Sequence, residues 1–408
     1  MSIDEILEQR SVRSVYQPIV ELVSGRVVAY EALARGPEGS GLERPDLLFA
    51  AAREAGRLVE LDWQCRVAAL RGALDAGLPR SLRLFVNVAA EAVDALPPDF
   101  ARETVRDANE QLDVVVEITE QAIASRPAEM LLMIDRLRAV GSAIALDDVG
   151  AVPRSLALMP LLAPDVIKLD MRLVQSSPTV HLASVANAVS AEAERTGAPL
   201  IAEGIETAEQ IEVARALGAD YGQGWHFGRP GPLPDTFEAA PAPIGSRLRE
   251  AINDPRSPFE IVTSEREVRR GEKALLLTIS RQLERQAALQ GESTIVISAF
   301  QKSRHFTQRT RDRYSALAGE LAFVAALGQE IPEEPAPGVR GGHLGPDNPL
   351  ALEWNVTVVA PHFAAAFVGR DLGDDVEDSR RRFDFAVTYN RDLAVQAARA
   401  LMREITPR

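Results

Sequence analysis

Six short apolar runs in the first 240 residues each stop on a carboxylate, an amide or an amine. VVAYE ends on Glu31, LRLFVN on Asn87, VVVE on Glu117, AIALDD on Asp147 and Asp148, VIK on Lys168, and PLIAE on Glu203. Runs of this length and make-up read as buried strands. Helical patterns lie between and around them, at 46–76, 98–111, 128–141, 185–197 and 208–218, and several end at glycine as helices commonly do. Strands alternating with helices predict parallel strands, and the repeats are frequent enough for a (β/α)₈ barrel. A doubly wound open sheet competes, but no glycine-rich dinucleotide loop follows the first strand. In the barrel the strand C-terminal ends meet at one rim, so the polar ends of six strands converge.

The segment TFEAAPAPIGSR, residues 236–247, reads as a linker. It divides a barrel domain over 1–240 from a smaller α/β or α+β domain over 250–408. There the pattern predicts a helix over about 265–290, a strand at 293–300, a helix at 310–318 and a strand at 321–327. A Pro/Gly-rich loop spans 331–349, followed by paired strands at 354–361 and 364–372 and a last helix over roughly 378–404. Few strands are expected in this part. Trp354, His362, Phe363 and Arg370 are candidates for lining a ligand pocket.

With 408 residues the chain has room for two or three domains. Its longest apolar stretches fall far below the roughly 18 residues of a membrane helix. The start, MSIDEILEQR, is acidic and helical and does not read as a secretion leader. Cys65 is the single cysteine, which excludes an internal disulfide. A cytoplasmic protein without a membrane span is expected. The net charge of −14 lies wholly in residues 1–240, and an acidic domain is a poor surface for duplex nucleic acid.

The chain holds three lysines among its 45 basic residues, and Lys168 is the first of them. A lysine kept at a strand end in so arginine-rich a protein is informative, because an ammonium is compact and its pKa responds to its surroundings. A structural pair with Asp170 is the plainer reading of it. The pair Asp147-Asp148 can bind metal, or it can cap a helix or turn. What favours chemistry is the convergence of Glu31, Asn87, Glu117 and Asp147, whose all-oxygen donors suit Mg²⁺ or Mn²⁺. His181, His226, His305, His343 and His362 are scattered, so a zinc site is not expected.

These residues also follow a family pattern. Glu31-Ala32-Leu33, followed by Ala34-Arg35 and preceded by Tyr16-Gln17-Pro18-Ile19-Val20, resembles the EAL domain, the phosphodiesterase of the bacterial messenger cyclic di-GMP. The resemblance runs over about 14–234 and includes Asn87 in FVNV, Glu117 in EITE, Asp147-Asp148, Lys168 in PDVIKLD, Glu203 in AEGIET and Gln223 in QGWHFGRPGP. It implies a modified barrel with an antiparallel first strand, a homodimer, and two Mg²⁺ or Mn²⁺ ions at the rim. By the resemblance Glu31, Asn87, Glu117 and Asp147 are ligands, with Asp148 on the second metal. Lys168 and Glu203 hold or activate the water, and with Glu31 they form the catalytic set. Gln17, Leu33 and Arg35 contact the dinucleotide, Gln223 supports the site, and Glu120 anchors the loop after Asp148.

One stretch departs from the pattern. The family usually continues Asp-Asp-Phe-Gly-Thr-Gly, whereas here Val149, Ala151 and Val152 replace the aromatic, the hydroxyl and the second glycine, and Pro153 follows them. A loop following another path is therefore expected. The two functions to separate are hydrolysis of cyclic di-GMP to linear pGpG and a non-catalytic barrel that only holds cyclic di-GMP or a protein. Residues of about 250–400 resemble the DICT domain, a sensory module. This implies that the C-terminal region regulates the barrel in response to an unknown ligand or protein.

Overall fold

The computed structural model describes residues 1–92, 95–119, 126–151, 153–177, 179–238, 244–245 and 255–405. Two compact units divide the chain. The first holds residues 1–123, 133–151 and 164–251, and the second holds 124–132, 152–163 and 252–408.

The first unit contains a closed eight-stranded barrel. Its strands are β1 Arg13–Glu21, β2 Val27–Arg35, β3 Arg83–Asn87, β4 Val114–Thr119, β5 Ala143–Val149, β6 Val166–Leu169, β7 Leu200–Ala202 and β8 Tyr221–Gln223. β1 runs antiparallel to both β2 and β8, and all other neighbours are parallel. The expected barrel with a reversed first strand is what forms. Phe85, Val115, Ala145, Val166 and Ile201 fill its interior and are fully buried. The continuous burial of β6, which left no alternation to read, is what a strand covered on both faces shows.

Two local expectations need correction. The helix expected over 46–76 is two helices, Pro45–Glu54 and Leu58–Asp75. Gly56 breaks it at a φ of +66°, and the Arg57 amide turns back to the Ala52 carbonyl at 2.8 Å. The stretch expected as a linker over 236–247 is partly structural. Ile244 is fully buried in the barrel core, and the Arg83 guanidinium donates to the carbonyls of Ile244 and Gly245. A single apolar side chain with an apolar socket outweighs the linker-like composition around it.

In the second unit a seven-stranded sheet has the order β12-β11-β10-β13-β14-β15-β9. These strands are β9 Arg269–Glu272, β10 Ile295–Lys302, β11 Phe323–Gln329, β12 Arg340–His343, β13 Glu353–Ala360, β14 Phe363–Asp371 and β15 Arg382–Thr388. β10, β11 and β12 are parallel, and the remaining pairs are antiparallel. Leu276, Leu283, Tyr314 and Leu317, from the helices Lys273–Leu289 and Gln308–Glu320, pack with Val296, Trp354 and Phe367 on one face. Phe259, Val262, Ala394 and Ala397, from the helices Pro258–Thr263 and Arg391–Met402, pack with Ala364, Ala366 and Val368 on the other.

The few strands expected here are seven. The helix expected over 378–404 is β15 followed by the helix Arg391–Met402, which Asn390 caps by accepting from the Leu393 amide at 3.0 Å. Phe383 and Phe385 are drawn into the sheet core, which helical periodicity would not allow. β12 lies inside the expected Pro/Gly loop, and β9 starts the stretch read as helix from 265. The paired strands at 354–361 and 364–372 are the β13–β14 hairpin. No helix among the described residues is long and apolar enough to cross a membrane.

Candidate active site at the barrel rim

Lys168 sits at the centre of the rim with no solvent exposure. Its Nζ lies 2.6 Å from Glu117 Oε1, 2.6 Å from Glu203 Oε1, 3.1 Å from Asp147 Oδ1 and 3.3 Å from Glu31 Oε2. The parallel register builds this arrangement: Asn87 on β3 lies level with Glu117 on β4, and Thr119 level with Asp147 on β5. Asn87 Nδ2 donates to Glu31 Oε1 and Glu117 Oε2, both at 2.9 Å. Gln223 Nε2 donates to Glu31 Oε2 at 2.6 Å and to Gln17 Oε1 at 3.2 Å.

Four carboxylates around one ammonium, with Asp148 close by, cannot all stay charged at no cost, and their proton affinities divide accordingly. Burial lifts the Glu117 carboxyl well above the carboxylate range, helped by the charge of Glu31. Burial and then Asp147 lift Glu203 likewise. Asp148 is pushed up to about 6 by burial, Asp147 and Asp170. Glu31 goes the other way: burial raises it, but Lys168 and the amides of Gln223 and Asn87 together outweigh burial. Lys168 holds its proton well above the ordinary range, since the four surrounding carboxylates overcome its burial.

Divalent cations fit this donor set. Oxygens of Glu31, Glu117 and Asp147 lie within 4.8 Å of one another, and so do oxygens of Asp147, Asp148 and Glu203. The two groups share Asp147. Glu117 Oε1 and Asp147 Oδ1 are shut from solvent, and the Lys168 ammonium is the cation that meets them. Hard oxygen donors in excess of positive charge are the environment that Mg²⁺, Mn²⁺ or Ca²⁺ prefers.

Leu33 and Arg35 line a cleft of about 370 Å³ beside Glu31 and Asn87. Gln17 and Gln223 are buried, and Gln17 Nε2 also donates to the Gly228 carbonyl at 3.0 Å. Asp62 and Arg66, which sequence reasoning passed over, line the same cleft. Asp62 is ion-paired with Arg66 and accepts from the Ala89 amide at 2.8 Å, so it holds the turn that follows Asn87. The signal available was Asp62 and Gln64 among the apolar positions of the helix Leu58–Asp75, where both are buried.

Beyond Asp147 the chain turns sharply. Asp148 has a φ of +57° and Gly150 a φ of +99°, and the Ala151 amide reaches the Asp148 carbonyl at 3.1 Å. Val149 is fully buried and closes the ladder with Leu169, and a 3₁₀ turn follows at Pro153–Ala157. Glu120, expected as the loop anchor, and Val152 lie outside the described residues. A Cβ on Gly150 would meet Leu173 Cδ1 at 2.8 Å and Val185 Cγ1 at 2.9 Å. Gly150→Ala is therefore expected to cost about 1–3 kcal/mol in urea unfolding. It should also weaken Mn²⁺ binding, because Asp147 and Asp148 are displaced with the turn. Unchanged Mn²⁺ affinity in calorimetry would separate the turn from the site.

Residues 2–230 match the family model of the EAL domain, and residues 261–372 match that of the DICT domain, described as a sensory domain in diguanylate cyclases and two-component systems. The chain is 32% identical over 228 residues to the cyclic di-GMP phosphodiesterase NbdA of Pseudomonas aeruginosa, a match covering 53% of this chain and 29% of that protein. It is 32% identical over 231 residues to the cyclic di-GMP phosphodiesterase RocR of the same organism, covering 55% of this chain and 59% of that protein. The chain thus spans less than two thirds of either relative. Among solved structures, the FimX EAL domain of Pseudomonas aeruginosa bound to c-di-GMP superposes with a TM-score of 0.50 at 21% identity. That match covers 58% of this chain and 98% of that one, and it speaks for the fold alone.

Proposed function

We propose, from the premise that this chain belongs to the EAL domain family, that its barrel hydrolyses cyclic di-GMP to linear pGpG. The observation that carries the reading is the Lys168 ammonium enclosed by Glu31, Glu117, Asp147 and Glu203 at the rim. Ring opening adds water across one phosphodiester bond, the hydroxyl going to phosphorus and a proton to the departing ribose oxygen. Two Mg²⁺ or Mn²⁺ ions, held by Glu31, Asn87, Glu117, Asp147 and Asp148, supply charge neutralisation and a more acidic water. Lys168, kept as an ammonium by its neighbours, donates to the attacking water and fixes its direction. Glu203 is the more exposed of the residues that touch Lys168, with 18% of its side chain accessible, and it takes the proton from that water.

In this reading Leu33 and Arg35 grip the dinucleotide in the cleft. Gln17 contacts the dinucleotide with them, Gln223 holds Glu31 in place by donating to its Oε2, and Glu120 steadies the loop after Asp148. Arg35→Ala should raise KM by roughly tenfold, the loss of one charge-assisted contact, with kcat little changed. Equal KM in the two proteins would remove Arg35 from the substrate contact. We further propose a cytoplasmic homodimer, with the barrel over 1–240 governed by a sensory domain over 250–408.

The competing function is a barrel that binds cyclic di-GMP without turnover, favoured by the departures at Val149, Ala151 and Pro153. Incubating the pure full chain with cyclic di-GMP and Mn²⁺ and separating the products chromatographically tests both. Linear product that depends on Mn²⁺ and vanishes in Glu31→Ala is the expected result. Retained binding with no product at high protein concentration would decide for the competing function.

A further inference from the structure

The chain has three lysines, and with Lys168 in the barrel the other two line adjoining cavities of the second unit, Lys273 an inner one and Lys302 an outer one. The cleft they form lies at the C-terminal end of β10, where the sheet changes from parallel pairing with β11 to antiparallel pairing with β13. An inner recess of about 70 Å³, lined by Trp354, Phe300 and Phe383 among others, adjoins a wider opening of about 650 Å³ that shares Gln301 and His305. Of the four residues expected to form a pocket here, Trp354 is in this cleft. His362 is exposed in the β13–β14 turn, and Phe363 is half-buried against the sheet core. Arg370 is committed to Glu353 at 3.2 Å and lies 4.4 Å from the Phe259 ring centre.

The walls concentrate positive charge in an unusual way. His305 Nδ1 donates to the Phe300 carbonyl at 3.0 Å, which leaves Nε2 as the acceptor of a neutral ring. That single nitrogen faces two guanidiniums, Arg304 Nε at 3.3 Å and Arg381 Nη1 at 3.5 Å. Gathering like charges costs stability unless an anion joins them. Here two carboxylates join them: Asp371 is ion-paired with Arg381 Nη2, and Asp378 is an exposed residue on the 3₁₀ turn Asp378–Arg380. Its carboxylate reaches Lys273 Nζ at 2.5 Å and Arg381 Nη1 at 3.0 Å. Gln301, buried and held at a φ of +63°, sets the rim by donating to the Leu352 carbonyl at 3.1 Å and accepting from Arg381 at 3.3 Å. A non-glycine residue in that region is strain of the kind that accompanies ligand sites.

We propose that this cleft binds a small phosphomonoester, whose phosphate takes the place that the Asp378 carboxylate fills in its absence. Phosphate is favoured over a carboxylate by charge. The walls carry six Lys and Arg side chains against four Asp and Glu, and a phosphomonoester brings about two negative charges at neutral pH. Three acceptor oxygens can engage Lys273, Arg304 and Arg381 together, whereas Asp378 engages two of them. The site is independent of the reaction assigned to the barrel.

Calorimetric titration of the full chain in EDTA tests it, with inorganic phosphate, ribose 5-phosphate and a nucleoside 5′-monophosphate as separate probes. At least one probe is expected to bind. Asp378→Asn should tighten that probe, and Arg304→Ser, an exposed change, should weaken it by roughly tenfold, one charge-assisted contact each. Equal affinity for inorganic phosphate and both esters would identify free phosphate as the ligand, and preference for one ester would identify its body as part of the recognition. Two results overturn the proposal. One is that no probe binds the wild-type protein or Asp378→Asn. The other is that a probe binds and neither substitution changes its affinity.

Discussion

Lys168→Met is expected to abolish turnover and to destabilise the metal-free protein. The side chain is fully buried, and its ammonium is the shared counter-charge of four carboxylates. Removing one member of a buried ionic cluster costs on the order of 3–5 kcal/mol, because the remaining charges stay desolvated and unpaired. The carboxylates answer by taking up protons, so the loss should be larger at pH 8 than at pH 5. Mn²⁺ should restore part of the melting temperature, since the same oxygens can bind it. Turnover should not return: a positioned proton-handling group contributes about 10²–10⁴-fold. Lys168→Arg keeps the charge but needs more volume in a site with none to spare, and the same loss of rate is expected. Thermal melts with EDTA and with Mn²⁺, beside product chromatography, read all of this. A Lys168→Met protein that turns over at near the wild-type rate would reduce the lysine to a structural role.

The second large effect is the response of stability to pH with and without metal. Asp148 rises from an ordinary 3.8 to about 6 on folding, and Glu117 and Glu203 rise as well. The folded state therefore binds more protons than the unfolded state between about pH 4 and 6. The slope of stability against pH follows protons bound in the unfolded state minus those bound in the folded state, and it is negative here. In EDTA the urea midpoint should fall as pH is raised from 5 to 7.5. Glu31, held below its ordinary value, contributes stability that is lost only on acidification below about pH 4.5 and does not oppose this window. With Mn²⁺ the sign reverses, because protons and metal compete for the same oxygens and affinity climbs through about pH 6. At 100 times the dissociation constant, bound metal adds about 2.7 kcal/mol. A midpoint that rises with pH in EDTA would mean that the cluster is not overcharged when empty.

Much of the site was readable because the relevant signals are local. A parallel strand buried on both faces is a short apolar run, and the residue that ends it must sit at the rim whatever packs around it. Glu31, Asn87, Glu117, Asp147, Lys168 and Glu203 could be picked out on that ground alone. The rarity of lysine against arginine pointed to Lys168. Asp62 was missed because its task, holding the Ala89 amide, joins a helix to a strand-end turn that no sequence pattern connects.

The short apolar runs thus decided the barrel strands that carry the rim residues, and with them which residues reach the rim. Tertiary structure alone decided how many carboxylates one ammonium meets, and hence which of them keep their protons. It decided that Ile244 in a proline-rich stretch is barrel core, and that 382–388 is a strand beside β14 instead of the start of a helix. It also brought His305, Arg304, Arg381 and Asp378 to one place. The reason is physical: local propensity differs by fractions of a kcal/mol per residue, whereas burying one side chain or one charge is worth several. Where the two disagree, the partner found in space decides.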